Sequence, residues 1–370
     1  MLHHPTAQRT YTDPFADGAT PVTYDVGAWT SPVLRGSFGL TELISSWDAD
    51  TPKGTWIEVN VRGRDEAGTR TGWFILGRWA RDDTAAGGAI NRTSVDGQGT
   101  DVATVWTDTL HCLDDHTLHD LELRIQLMRP AGTTLTPRVR FLGAVASALP
   151  DDPTVPVSAP GPGRGIVLDV PPYSQELHDG QYPQYDNGGE AWCSPTSTSM
   201  VVAYWGKGPT AQQMSWVEPM TDPQVAYAAR NTFDYTYDGC GNWPFNAAYA
   251  ASFGLEGFVT RLRSLREAEE FIAAGIPLVT SVSFQASQLG GAGYSTGGHL
   301  MVLSGFTEDG DVVMNDPACH LVPHAPDSEV RVTYDRGQFE NVWLPTSGGT
   351  VYVIHPSHLR LPRAPREANW

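Results

Sequence analysis

Lysine is nearly missing from this chain: only Lys53 and Lys207 are found among 370 residues, and arginine supplies the other cations. Positive charge as a whole is scarce, with 24 Lys and Arg against 42 Asp and Glu, a formal net charge of −18. So acidic a chain repels a nucleic-acid backbone and an anionic membrane surface, and neither is expected as a partner. Long apolar runs are lacking too. No stretch approaches the roughly 20 residues that span a bilayer, so no membrane insertion is expected. The start, Met1-Leu2-His3-His4-Pro5, has neither the basic region nor the apolar core of a secretory signal. As written it reads as cytoplasmic, and as secreted if the start codon is misplaced. Four cysteines (Cys112, Cys193, Cys240, Cys319) are too few for a disulfide scaffold, and no CxxC pair offers a thiolate zinc site. Neither a metal nor an organic cofactor is called for.

What is abundant is turn chemistry. There are 38 Gly and 28 Pro, which favour short strands over long helices, and 12 Trp, too many for a disordered chain. The length suits two domains. Residues 149–165, rich in Pro and Gly, have little to bury and read as a linker. The expected organisation is a flexible N-terminus (1–19), an all-β domain (20–148), the linker, an α+β domain (166–362) and a tail (363–370). In the first domain Ile57, Val59 and Val61 alternate with polar residues, as do Leu121, Leu123, Ile125 and Leu127. A period of two marks half-buried strands, and Gly- and Asp-rich breaks between them suit a β-sandwich. In the second domain Ser197 to Trp205 reads as a buried helix. Ser264 to Ala274 reads as a helix capped by Ser264 and Gly275. Leu278 to Val282, Leu300 to Phe306 and Val312 to Asn315 read as strands.

The chemistry centres on Trp192-Cys193-Ser194-Pro195. A proline two residues after Cys193 suits a first helical turn, which puts the thiol at a helix N-terminus, where free N–H groups favour a thiolate nucleophile. A buried structural cysteine beside Trp192 is the plain alternative. His299 opens one strand after Gly297-Gly298, and Asp316 ends the next. A turn centred near Asp309 sets residue 316 opposite about 301, within diagonal reach of 299. A nucleophile, a base and a carboxylate that orients the base thereby converge. Gln175, in Val170-Pro171-Pro172-Tyr173-Ser174-Gln175, offers an amide donor for an oxyanion.

With Cys-Ser-Pro-Thr-Ser-Thr-Ser-Met, Gly-Gly-His-Leu-Met-Val-Leu and Asn-Asp-Pro added to that run, residues 168–356 resemble the C39-like cysteine peptidases of bacteria, which have a papain-like fold. The resemblance implies Cys193 as nucleophile, His299 as base, Asp316 as its orienter and Gln175 in the oxyanion hole. Family members often carry Gly after the cysteine, where this chain has Ser194. The implied activity is hydrolysis of a peptide or protein substrate through an acyl-enzyme. Acyl transfer to an amine, as in transglutaminase-like relatives, and a silent peptide- or glycan-binding protein are the alternatives.

Trp192, Trp243 and Gly298 are candidates for contact with substrate. Trp243 lies in the aromatic turn Asp238 to Asn246, which either lines the cleft or packs inward. Cys240 and Cys319 are candidates for a disulfide. His111, Cys112, Asp114, Asp115, His116 and His119 match no zinc spacing and read as a solvated loop. Among Trp47, Trp56, Trp73, Trp79 and Trp106, Trp56 falls on the polar face of its strand and is the expected exposed one, which makes a glycan a candidate partner of the β-domain.

Overall fold

The structure, a computed structural model, describes residues 5–150, 155–319 and 329–370. Residues 1–4 of the expected N-terminal tail, 151–154 of the expected linker and 320–328 of the expected α+β domain lie outside the described residues. Among those described, five helices and 15 strands form three antiparallel sheets, a mixed α+β chain. No described helix is long and apolar enough to cross a membrane. The chain divides into two compact units: one holds the residues up to Leu149 together with Phe233–Ala248, the other Pro150–Thr232 and Tyr249–Trp370.

The first unit carries β1 (Ala7–Tyr11), β2 (Val22–Thr30), β3 (Glu42–Asp50), β4 (Trp56–Arg64), β5 (Phe74–Trp79), β6 (Ala103–Trp106), β7 (Thr109–Cys112), β8 (His119–Pro130) and β9 (Arg138–Ser147). They order as β1-β2-β8-β4-β5 and β6-β7-β3-β9. Alternation in β8 holds, with Leu121, Leu123, Ile125 and Leu127 all turned inward. In β4 it predicts only half of what is found, because both faces are covered. Trp56 is 0% exposed rather than solvated. Tyr11 and Tyr24 pack on its ring, and Ala80, Ile90 and Met128 close a small second core around it. Glu58 beside it is buried under Arg9 and Arg78, each 3.0 Å away. The tryptophans that face solvent are Trp29 and Trp106, while Trp73 is clasped by Arg62 and Arg124.

Described residues of three segments expected to be loose make specific contacts. The N-terminal stretch contains β1, paired with β2. At the other end, Trp370 meets Phe271 edge-on and the Asn369 amide donates to the Arg261 carbonyl. The described part of the expected linker is bound to the second unit: Ser158 N–H donates to Glu340, and Gly161 and Gly163 N–H donate to Glu269. Arg336 returns the contact through the Ser158 carbonyl at 2.7 Å and Glu269 at 2.8 Å. Composition foresaw a segment without its own core. It did not foresee buried carboxylates waiting for its N–H groups.

The second unit adds α1 (Cys193–Tyr204), α2 (Pro223–Thr232), the end of α3 (Trp243–Ala251), β10 (Glu256–Arg261), α4 (Leu265–Ala273), β11 (Leu278–Phe284), β12 (Thr296–Phe306), β13 (Val312–Asn315), β14 (Arg331–Tyr334), α5 (Arg336–Ser347) and β15 (Thr350–His355). The sheet runs β10-β15-β11-β12-β13-β14. Phe271 and Ile272 of α4, Phe339 and Trp343 of α5 and Met301, Leu303 and Phe306 of β12 share one buried core. Ser264 caps α4 as expected, accepting the Glu267 N–H, and Gly275 follows with φ of 81°.

Candidate active site

Helix α1 begins at Cys193, and no side chain caps its first turn. The half-buried thiol therefore stands at an N-terminus without a side-chain cap. From Ser194 to Val202 the helix is buried all round, and it meets its surroundings through hydroxyls. Ser194 Oγ lies 2.9 Å from Tyr352 Oη, so the residue that replaces the family's frequent glycine has a partner in the core. Ser197 Oγ donates to the Leu300 carbonyl at 3.0 Å. Ser197 stands one turn after Cys193, and Leu300 follows His299. That single bond ties the start of α1 to the strand that carries His299.

Strands β12 and β13 pair with Val302 opposite Asn315, which sets 301 against 316 as the hairpin arithmetic expected. His299 Nε2 lies 2.8 Å from Asp316 Oδ1, both fully enclosed. Nδ1 is then the ring nitrogen that Asp316 leaves unused, and Cys193 lies close enough to favour the charged imidazole. Burial alone would push the imidazole's pKa down. The charge and hydrogen bond of Asp316 outweigh it, and the imidazolium is favoured well above its ordinary range. For Asp316 burial pulls upward, but His299 and the hydroxyls of Tyr334 and Tyr294 hold the carboxyl below its usual range.

Gln175 enters a short turn (Glu176–His178) and is buried. Its N–H donates to the Pro317 carbonyl, which anchors the turn beside Asp316. Its amide donates to the Glu190 carbonyl at 2.6 Å and also meets the Glu176 carboxylate. Burial, with Glu190 and Asp179 adding repulsion and His299 opposing, raises Glu176 to about 7. Gly189 makes this packing possible: a Cβ there would stand 2.3 Å from the Gln175 carbonyl oxygen.

The other candidates separate. Trp192 is 0% exposed, its Nε1 donates to the Tyr185 carbonyl and its ring lies against His178. Trp243 belongs to the first unit, half-buried, with its N–H donated to Asp108 at 2.7 Å. Phe245 of the same segment packs on Trp47 and Trp79, so that turn sends its aromatic side chain inward. Gly298 is exposed, and nothing lies within 4 Å of a Cβ built on it or on Gly297. Open space thus adjoins the otherwise enclosed His299.

Cys112, Cys193, Cys240 and Cys319 are all thiols, so Cys240 and Cys319 form no disulfide. Burial and then Asp316 push the Cys319 thiol up to about 11, and burial with Glu66 does the same to Cys112. In the expected solvated loop, His111 and Cys112 instead belong to β7; His111 pairs with Glu42 and His116 with Glu66. Among the described residues no three His, Cys, Asp or Glu side chains are grouped to hold a metal ion.

Sequence reasoning passed over Ser197, Glu176, Tyr294 and Tyr334. The tyrosine hydroxyls reach Asp316 Oδ2 at 2.8 and 2.7 Å. Both read in sequence as core aromatics, and nothing local advertises the hydroxyl's partner.

Two family models match the chain. The Peptidase C39 N-terminal domain matches residues 1–147, and the Peptidase C39 like family matches residues 167–351, half the chain. Comparison with curated proteins gave no match.

Proposed function

The chain belongs to the Peptidase C39 like family, and on that premise we propose that it is a cysteine peptidase whose nucleophile is Cys193. The second unit is then a papain-like domain and the first a β-sandwich accessory. The observation that carries this reading is the buried 2.8 Å hydrogen bond between His299 Nε2 and Asp316 Oδ1, which leaves Nδ1 for the thiol of Cys193.

The Sγ proton passes to Nδ1, and the thiolate attacks the carbonyl carbon of the scissile peptide bond. The negative charge moves to the carbonyl oxygen. There the Cys193 N–H and the Gln175 amide receive it, the latter giving up its contact with Glu176. As the C–N bond breaks, Nδ1–H protonates the departing amine. Water then adds to the thioester, its proton going to Nδ1, and the acid leaves as Sγ departs. Asp316 keeps the ring turned and its charge compensated throughout.

Iodoacetamide labelling near neutral pH with peptide mapping tests the reading. Rapid labelling confined to Cys193, slowed by His299→Ala, is the expected result. Equal, slow labelling of all four cysteines would refute it. The buried, high-pKa thiols of Cys112 and Cys319 provide internal references.

A further inference from the structure

Asp316 receives a donor on every side. Oδ1 takes His299 Nε2 at 2.8 Å and the Ala318 N–H at 3.0 Å; Oδ2 takes Tyr294 Oη at 2.8 Å and Tyr334 Oη at 2.7 Å. A carboxylate has about four lone-pair sites, and these donors fill them. We propose that Tyr294 and Tyr334 are positioning residues of the catalytic centre, which fix the plane of the Asp316 carboxylate and keep it ionised against its complete burial. This rests on the peptidase reading above.

The two hydroxyls come from different places. Tyr294 precedes β12, and its ring meets the His299 imidazole edge-on at 5.7 Å and packs on Phe284. Tyr334 ends β14 and is 1% exposed, with its hydroxyl also 3.9 Å from Cys319 Sγ. Burial first, and then the neighbouring carboxylate, hold both phenols far above their usual range, so they remain donors at every working pH. Their role follows from the cost of a bare carboxylate in an enclosed site. With one oxygen shared by His299 and a backbone amide, the other would be buried with no cation beside it among the described residues. A proton on Asp316 would then be the cheaper state, and a protonated Asp316 no longer supports the imidazolium. The groups that face the pair are His299 from β12, Tyr294 before it, Tyr334 from β14, Cys319 beside Asp316 and Cys193 from α1. Glu176 reaches His299 from the Gln175 turn.

Tyrosine to phenylalanine removes only the oxygen. The test is the pH profile of Cys193 alkylation by iodoacetamide in the full chain, for wild type, Tyr294→Phe, Tyr334→Phe and the double variant. Near-ultraviolet circular dichroism verifies the fold. The acid limb should move to higher pH by about one unit for each hydroxyl lost, and further in the double variant. The position of the limb, rather than the height of the plateau, is the readout, because a general loosening of the site would lower the rate at every pH without moving the limb. Should the double variant misfold, the single variants carry the test. Fast wild-type labelling with an acid limb unmoved in folded variants overturns this inference and leaves the peptidase reading standing. A wild-type Cys193 no faster than the other cysteines overturns both.

Discussion

Replacing Gly298 separates catalysis from stability. A Cβ at this position meets nothing within 4 Å, and its backbone lies outside the left-handed region that favours glycine. In β12 the glycine gives up more chain entropy on folding than a larger residue would. Gly298→Ala should therefore stabilise the fold by roughly 0.4–1 kcal/mol. At about 2–4 °C per kcal/mol for a unit of this size, the melting midpoint rises by about 1–4 °C. The space that the new side chain enters lies beside His299, where the substrate chain runs in the reading proposed. One methylene's misfit in a shaped site is worth about 1–3 kcal/mol, so Gly298→Val should lower kcat/KM for a peptide at least about tenfold. Iodoacetamide is small enough to bypass the obstruction, and Cys193 should label at the wild-type rate. The assays are scanning calorimetry, peptide hydrolysis and thiol labelling on the same preparations. Unchanged kcat/KM in the valine variant would refute the placement of substrate. A lowered melting midpoint in the alanine variant would refute the claim of empty space.

Two further outcomes follow from the geometry. Ser197→Ala removes the buried bond to the Leu300 carbonyl; urea denaturation should register a loss of about 1–3 kcal/mol, and Cys193 labelling should slow as the thiol drifts from His299. Asp108, which accepts the Trp243 N–H, is pushed by burial from 3.8 up to about 6. A raised carboxyl contributes stability that is complete below its unfolded pKa and is lost as pH rises through the folded one. Resistance to urea should accordingly fall by about 2 kcal/mol from this group between roughly pH 4 and 6.5, and Asp108→Asn should flatten that slope. The nearby Asp234, raised in the same direction, leaves part of the slope in the variant.

What could be read in the sequence, and what could not, divides by the distance along the chain over which a contact acts. His299 and Asp316 are 17 residues apart, joined by one tight turn, so strand alternation and the turn's position were enough to bring them within diagonal reach. Ser264 and Glu267 are three apart, and their cap was legible for the same reason. The linker failed because its partners are remote. Gly161 is held by Glu269 from 108 residues away and Ser158 by Glu340 from 182, and no window of sequence contains both ends. Trp56 failed differently. Alternation correctly assigned it to the face opposite Ile57, Val59 and Val61. A strand's pattern says which face a residue takes, never what covers that face. Here Tyr11 and the segment carrying Ala80 and Ile90 cover it. Tyr294 and Tyr334 combine the two failures. Their separations from Asp316, 22 and 18 residues, resemble that of His299. Yet a tyrosine satisfies the core with its ring, and so a sequence pattern that explains the ring leaves the hydroxyl unexamined. A buried tyrosine in such a fold is better treated as two demands, one apolar and one for an acceptor, and the second is where a catalytic carboxylate should be sought.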